Sequence, residues 1–279
     1  GAPNQVWQAD HAELKVWVLD PDDEPTKPWI TLVEDDHSRA IAGFFLATAA
    51  PSAVNTALAL RQAIWRKEDP DWPVCGIPEQ LYVDNGSDFV SENIEQACIA
   101  LKIRLIHSRP GRPRGRGKIE RLFGTLNAEL LPELPGHLVG GKAASTPTLS
   151  LAQLDRAVGA FIAGTYHVRV HGEIRETPLD AWRGRGFLPR LPDTLEDLDL
   201  LLILHAEPRR VRRDGVHFQG LRYVAPTLAG FVGEAVTVRY DPRDLSEIRL
   251  FHRDRFLCRA VSEEHAGEVV TLKDIEAAR

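Results

Sequence analysis

Three short apolar segments near the start of the chain, residues 6–18, 29–34 and 41–47, are rich in β-branched and aromatic side chains and separated by Pro/Asp clusters. That is the pattern of three strands joined by turns. The texture then changes to alternation. Pro51 suits the first turn of a helix, and Val54, Leu58, Ile64 and Trp65 keep a helical apolar spacing until Pro70 ends it. Leu81, Tyr82 and Val83 read as a short buried strand that stops at the turn-forming tripeptide Asp84-Asn85-Gly86. Ser91 fits as the cap of a helix whose Ile94, Ala97, Cys98 and Leu101 form one stripe, and residues 102–107 read as a further strand. The order βββαβαβ predicts an α/β fold, which carries its chemistry at the C-terminal ends of strands.

Residues 108–117 are too rich in Gly and Pro for regular structure, and then Ile119, Leu122, Phe123, Leu126 and Leu130 restore helical spacing. A basic loop thus leads into a helix that carries Glu120. Residues 132–147 read as a loop. Leu151, Leu154, Val158 and Phe161 mark another helix that fades near Tyr166 or His171, and the domain closes around Trp182. Between 184 and 192 the composition shifts to Gly, Arg and Pro, and residues 195–204 form a connecting helix. Beyond Pro208 the chain is a series of short strands with turns at Asp214-Gly215 and Asp241-Pro242, the spacing of a small β-barrel. The organisation expected is a catalytic domain over 1–183, a linker with a short helix over 184–206, an all-β barrel over 207–262 and a tail over 263–279.

Composition narrows the function classes. With 43% hydrophobic and 27% charged residues the chain is of soluble globular type. No apolar run approaches the roughly 18 residues of a membrane span, which excludes a membrane role. The three cysteines, Cys75, Cys98 and Cys258, lack metal or disulfide spacing and read as idle thiols in a reducing compartment. A chain that begins Gly-Ala-Pro and carries no methionine reads as a segment of a longer protein. The net charge of −6 argues against nonspecific coating of nucleic acid by the whole surface, so phosphate binding needs local positive potential. Residues 102–121 supply it: Lys102, Arg104, Arg109, Arg112, Arg114, Arg116, Lys118 and Arg121 are opposed only by Glu120. Arg116, Lys118 and Arg121 are expected nearest a scissile phosphate. A second basic cluster, with Arg210 and Arg212, stands at the barrel entrance.

Three carboxylates stand out by position rather than by type. Asp10 lies in the first strand, Asp84 ends the fourth, and Glu120 opens a helix, so three elements can converge on one sheet edge. Hard divalent ions prefer carboxylate oxygens, water and phosphate oxygens, so such a cluster suits a metal site completed by a nucleic-acid backbone. His11 and His107 are candidate neighbours, with a structural role an equal alternative for each.

Thirty-five residues separate Asp84 from Glu120. With the words Trp7-Gln-Ala-Asp10-His11, Asp35-Asp-His-Ser-Arg39, Val83-Asp-Asn-Gly86 and Gly117-Lys-Ile-Glu-Arg121, the chain resembles the D,D-35-E group of retroviral integrases and bacterial transposases. Tyr166 to His171, with Thr177-Pro178 and Trp182, resembles the family's closing signature, although His167 stands where Asn is common. The barrel segment, with Gly215-Val-His-Phe218 and Val238-Arg-Tyr-Asp-Pro242, is similar to that of Mu-like transposases. The resemblance implies an RNase H-like (integrase catalytic core) domain followed by the barrel, and Asp10, Asp84 and Glu120 as catalytic ligands of two Mg²⁺ (or Mn²⁺) ions. It implies phosphoryl transfer on DNA, with nicking of 3′ ends and strand transfer into target DNA. As partners it implies transposon ends and target DNA, further copies of the chain assembled on DNA, an AAA+ ATPase and target-selection proteins. The setting it implies is the bacterial cytoplasm, in association with the nucleoid. The alternatives are an RNase H-like nuclease limited to hydrolysis and an inactive DNA-binding assembly protein.

Overall fold

The computed structural model describes residues 1–20, 22–84, 91–108, 117–202, 205–241, 244–253 and 255–262. Two compact units divide the chain, Gly1–Leu198 and Asp199–Arg279.

The first unit is built on a five-stranded sheet of β1 (Val6–Glu13), β2 (Trp29–Asp35), β3 (Ile41–Ala47), β4 (Gln80–Val83) and β5 (Arg104–His107), in the order β3-β2-β1-β4-β5. β1, β2 and β3 are antiparallel neighbours, whereas β4 and β5 run parallel to β1. This is the RNase H-like arrangement that the resemblance implies, and it agrees with the βββαβαβ order. The parallel crossovers carry α1 (Ala53–Ile64) and α2 (Glu92–Ala100), each started by a serine, Ser52 and Ser91, whose hydroxyl accepts from a backbone N–H three residues on. α1 stops at Trp65, in extended backbone, instead of running to Pro70. Gly43 explains how closely α1 lies on β3: a Cβ there would stand 2.6 Å from Ala63 N and 2.8 Å from Ala59 O, both backbone atoms.

The first strand ends at Glu13, short of residue 18. Beyond it Leu14 N donates to Pro28 O and Trp17 N to Gly136 O, while Leu14, Val16 and Val18 remain buried. The apolar signal of this stretch is therefore real, but its backbone pairs elsewhere. Val18–Leu19 and Pro25–Thr26 make a small antiparallel ladder, and a second one, Leu138–Val139 with Lys142–Ala143, lies inside the stretch read from sequence as a loop.

Beyond β5 come α3 (Gly117–Thr125) and α4 (Leu151–Phe161), and each ends in a single π turn, Leu126–Leu130 and Ile162–Tyr166. The five apolar positions of the α3 stripe, Ile119 to Leu130, are all buried. After α4 the π turn leaves two consecutive side chains inside, Tyr166 and His167. His167 Nε2 accepts from Ile41 N at 2.9 Å, and burial holds its imidazole down to about 3, so the ring is neutral and serves as an acceptor for β3. The unusual histidine of the closing signature is thus a structural tie.

The unit closes through Asn4, a buried residue with φ of 58°. Its Oδ1 accepts from the indoles of Trp7 at 3.1 Å and Trp182 at 3.3 Å, and its Nδ2 donates to Cys75 O at 2.8 Å. Trp182 belongs to α5 (Pro178–Arg183), capped by Thr177. Lys67, half-buried, donates to the carbonyls of Ala42, Ala63 and Val74, and desolvation pulls its ammonium down to about 7. α6 (Leu195–Leu202) spans the boundary between the units.

The second unit is one six-stranded antiparallel sheet: β6 (His205–Arg210), β7 (Val216–Phe218), β8 (Leu221–Val224), β9 (Ala235–Asp241), β10 (Asp244–His252) and β11 (Arg255–Ser262), in the order β6-β9-β10-β11-β8-β7. Its edge strands β6 and β7 approach one another, so the sheet is nearly closed into the expected barrel. Alternate residues of β9, Val236, Val238 and Tyr240, point inward, and with Leu245, Ile248 and Leu250 of β10 they fill it beside Phe218 and Tyr223. The turn at Gly215 requires glycine, since its φ is +122° and a Cβ would stand 2.2 Å from Tyr223 O. The turn expected at Asp241-Pro242 lies partly outside the described residues.

Candidate active site

β1 and β4 pair in parallel register up to Gln8 and Tyr82. Asp10 and Asp84 each lie two residues further on, and side chains alternate with a period of two, so both carboxylates stand on the Gln8 face, Asp10 inside β1 and Asp84 just past the end of β4. Both are half-buried. Asp10 Oδ1 accepts from His11 N at 2.9 Å. Ser108, one residue past β5, donates its hydroxyl to Asp84 Oδ1 at 2.9 Å, and its N–H bonds Val83 O. The end of β5 thereby steadies the second carboxylate.

α3 packs on β1, with Ile119, Leu122 and Phe123 turned inward and Glu120 exposed. Lys118 fastens its first turn: its ammonium lies 2.7 and 2.8 Å from the two carboxylate oxygens of Asp36, and Asp36 Oδ1 also accepts from Gln8 Nε2 at 2.6 Å. A chain of polar contacts thus runs from the helix that carries Glu120 to the face of β1 that carries Asp10. By donor type the three carboxylates fit a hard divalent cation. They do not form a ready-made cage: among the described residues no group of three or more His, Cys, Asp or Glu side chains is gathered closely enough to hold a metal ion.

The two histidines lie elsewhere. His11 alternates to the opposite face from Asp10, where its Nδ1 meets Thr31 Oγ1 at 2.7 Å. His107 is paired with Val83, so it too faces away from the Asp84 side. Of the basic residues, Arg112, Arg114 and Arg116 lie outside the described residues. Arg121 is exposed and bonds Glu173 Oε2 at 2.9 Å, so both described cations nearest Glu120 already meet an acid of the same unit. On the barrel, Arg210 and Arg212 are both exposed.

The motif Asp35-Asp-His-Ser-Arg39 is a tight turn organised by Asp35. Its buried carboxylate accepts from Asn4 N, Ser38 N and Ser38 Oγ at 2.8, 2.8 and 2.6 Å. Arg39 then takes a φ of 65°, bonds the Asp36 carbonyl, and reaches Glu173 Oε1 at 3.2 Å. Tyr166 donates its hydroxyl to Arg39 O at 3.1 Å.

Sequence reasoning passed over Glu34, which is 1% exposed and paired across the ladder with Gln8. The only hint is a glutamate inside an apolar strand. Burial pushes its carboxyl up to about 8, with Arg39 and Lys118 pulling the other way, and its Oε2 has no hydrogen-bond partner. Unfolded, the same group ionises near 4.5. Between those pH values unfolding releases a proton, so this residue makes native stability fall as pH rises. Glu34→Gln is expected to remove that slope, up to about 1.4 kcal/mol per pH unit. Urea unfolding of both proteins at pH 5 and pH 8 checks it, and parallel profiles would contradict it.

Comparison with known proteins gives two family matches: the TnsB C-terminal domain over residues 8–136, and Mu transposase, C-terminal, over residues 199–259. The transposase for transposon Tn552 of Staphylococcus aureus is 46% identical over 277 residues, 99% of this chain and 58% of the relative. The transposition protein TnsB of transposon Tn7 from Escherichia coli is 27% identical over 157 residues, 51% of this chain and 22% of the relative. The chain therefore spans less than two thirds of the length of each of these two curated relatives. Among solved structures, a chain of the simian T-cell lymphotropic virus intasome in complex with the PP2A regulatory subunit B56 gamma is 18% identical with a TM-score of 0.49, covering 94% of this chain and 80% of that one. The HTLV-2 integrase catalytic core domain in complex with magnesium is 21% identical with a TM-score of 0.43, covering 64% of this chain and 97% of that one.

Proposed function

We propose, from the match of the first unit to the TnsB C-terminal domain and of the second to the Mu transposase C-terminal family, that the chain is the catalytic part of a DDE transposase of the retroviral integrase superfamily. Asp10, Asp84 and Glu120 hold two Mg²⁺ or Mn²⁺ ions, and the chain nicks 3′ ends and joins them to target DNA. The observation that carries this reading is the placement of Asp10 and Asp84, each two residues past the last parallel pair of neighbouring strands and on one face, beside the helix that carries Glu120.

When bound, the ions supply the Lewis acidity that activates the attacking oxygen and neutralises charge on the leaving one. The protein's own contribution is positioning. Ser108 orients the Asp84 carboxylate, and the Lys118–Asp36–Gln8 chain holds α3 against β1. Arg112, Arg114, Arg116, Lys118 and Arg121, with Arg210 and Arg212 on the barrel, contact phosphates without reading bases. Transposon ends, target DNA and further copies of the chain are the partners proposed, together with an AAA+ ATPase and target-selection proteins, in the bacterial cytoplasm.

The test is a strand-transfer assay with pre-cleaved ends and supercoiled target in Mg²⁺ or Mn²⁺. Joined products are expected. Cleavage without joining would reduce the chain to a nuclease, and DNA binding without either reaction would make it an assembly protein.

A further inference from the structure

A polar cavity of about 470 Å³ lies in the first unit, and it is lined by Glu34, Arg39, Lys118, Arg121, Tyr166 and Glu173, among others. None of the three proposed metal ligands lines it. Its contents are unusual in one respect. The Glu173 carboxylate, at the mouth, gives one oxygen to each of two arginines: Oε1 to Arg39 at 3.2 Å and Oε2 to Arg121 at 2.9 Å. These arginines are unlike one another, for the Arg39 side chain is 6% exposed and that of Arg121 is 64% exposed.

We propose that this cavity is a phosphate site, which Glu173 fills in the DNA-free chain and leaves when a phosphodiester of the bound strand enters. The proposal rests on the reading of the chain as a DNA-acting enzyme and adds to it a place where the backbone is held and a residue that competes for that place.

The charge balance favours an anion there. Asp36 meets both Lys118, at 2.7 Å, and Arg39, at 3.8 Å, and Glu173 meets Arg39 and Arg121, so three cations face two acids. Glu34 adds no negative charge near neutrality, because burial keeps its proton on, and as an acid it is a donor to an anionic oxygen. His171 lines the wall, with burial and Arg39 holding its imidazole toward the neutral form. Two buried polar atoms remain without a partner, Glu34 Oε2 and Arg39 Nε, on residues 1% and 5% exposed. Buried polar groups are nearly always paired, so two together at one cavity mark a site built for something further. A phosphate presents two non-bridging oxygens, matching the pair that Glu173 now offers, and arginine forks recognise both groups.

Displacing Glu173 has a cost that DNA must overcome, so removing its charge strengthens DNA binding. Glu173→Gln is expected to bind a random-sequence duplex about tenfold more tightly than wild type and to steepen the slope of log affinity against log salt by about one, as for one more phosphate contact. Glu24→Gln, an exposed acid outside the cavity, removes the same charge and is expected to stay within about twofold. Arg121→Ala weakens binding and shrinks the effect of Glu173→Gln when the two are combined, which a simple net-charge effect does not do. A parallel titration of Glu173→Gln with inorganic phosphate, followed by calorimetry, needs neither DNA nor metal. Saturable phosphate binding that Arg121→Ala removes supports the site, even if the wild-type chain proves unable to join DNA ends. Glu173→Gln indistinguishable from Glu24→Gln on DNA, with no phosphate binding, overturns it. Phosphate binding without any change on DNA overturns its assignment to the nucleic-acid backbone.

Discussion

Asp84→Asn is expected to lower metal-dependent nicking and joining by on the order of a thousandfold while leaving DNA binding and the unfolding midpoint near wild type. The substitution keeps shape and keeps an oxygen for the Ser108 hydroxyl at the end of β4, but removes the charge that a divalent ion needs. A metal contributes several kcal/mol of charge stabilisation, and at about 1.4 kcal/mol per factor of ten, roughly 4 kcal/mol is a thousandfold. Asp10→Asn is expected to do the same from the neighbouring strand. Activity and DNA affinity must be measured on one preparation, because the two readouts separate chemistry from docking. Unchanged nicking in Asp84→Asn would remove the proposed mechanism.

The largest stability effect is expected far from the carboxylates, at Asn4→Ala. That side chain joins the indoles of Trp7 and Trp182 and the Cys75 carbonyl in one buried knot. Truncation strands two indole N–H groups and a carbonyl in the interior and puts alanine at a φ of 58°. Each orphaned buried group costs about 1–3 kcal/mol. A loss of at least about 3 kcal/mol follows, a large part of the total for an ordinary domain. Denaturant unfolding followed by tryptophan fluorescence measures it, since two of the indoles report directly on the knot. A midpoint within error of wild type would mean that the knot contributes nothing.

Much of this architecture is legible in the chain itself, for identifiable reasons. Elements whose apolar period is strong and whose ends carry punctuation were found: Ser91 before α2, the Asp84 turn after β4, and the five-residue stripe through Leu130. The barrel was legible because Asp214-Gly215 and evenly spaced strands leave few other solutions. Where backbone partners come from far away, local pattern gave less. Residues 14–18 are apolar, but Leu14 pairs with Pro28 and Trp17 with Gly136, so the strand breaks where no local signal marks it.

For the candidate site, spacing and motif pointed to Asp10, Asp84 and Glu120, and the fold sets the first two side by side. For His11 and His107 the structural alternative holds, because one residue of offset along a strand reverses the face. Glu34 and Glu173 escaped notice for opposite reasons. One is an acid hidden in an apolar strand, and the other is an ordinary surface acid until its two arginines, 134 and 52 residues away, are seen.

The three proposed ligands are not held in the same way. Two ride on strands that are hydrogen-bonded neighbours up to Gln8 and Tyr82, where peptide geometry sets a separation of about 4.8 Å. The third rides on a helix seated by Ile119, Leu122 and Phe123 and latched by Lys118. The arrangement works like a caliper with one fixed jaw and one sliding jaw. Its opening is set by the seat of α3, so anything that tilts that helix, including an incoming duplex, adjusts the gauge without touching a carboxylate.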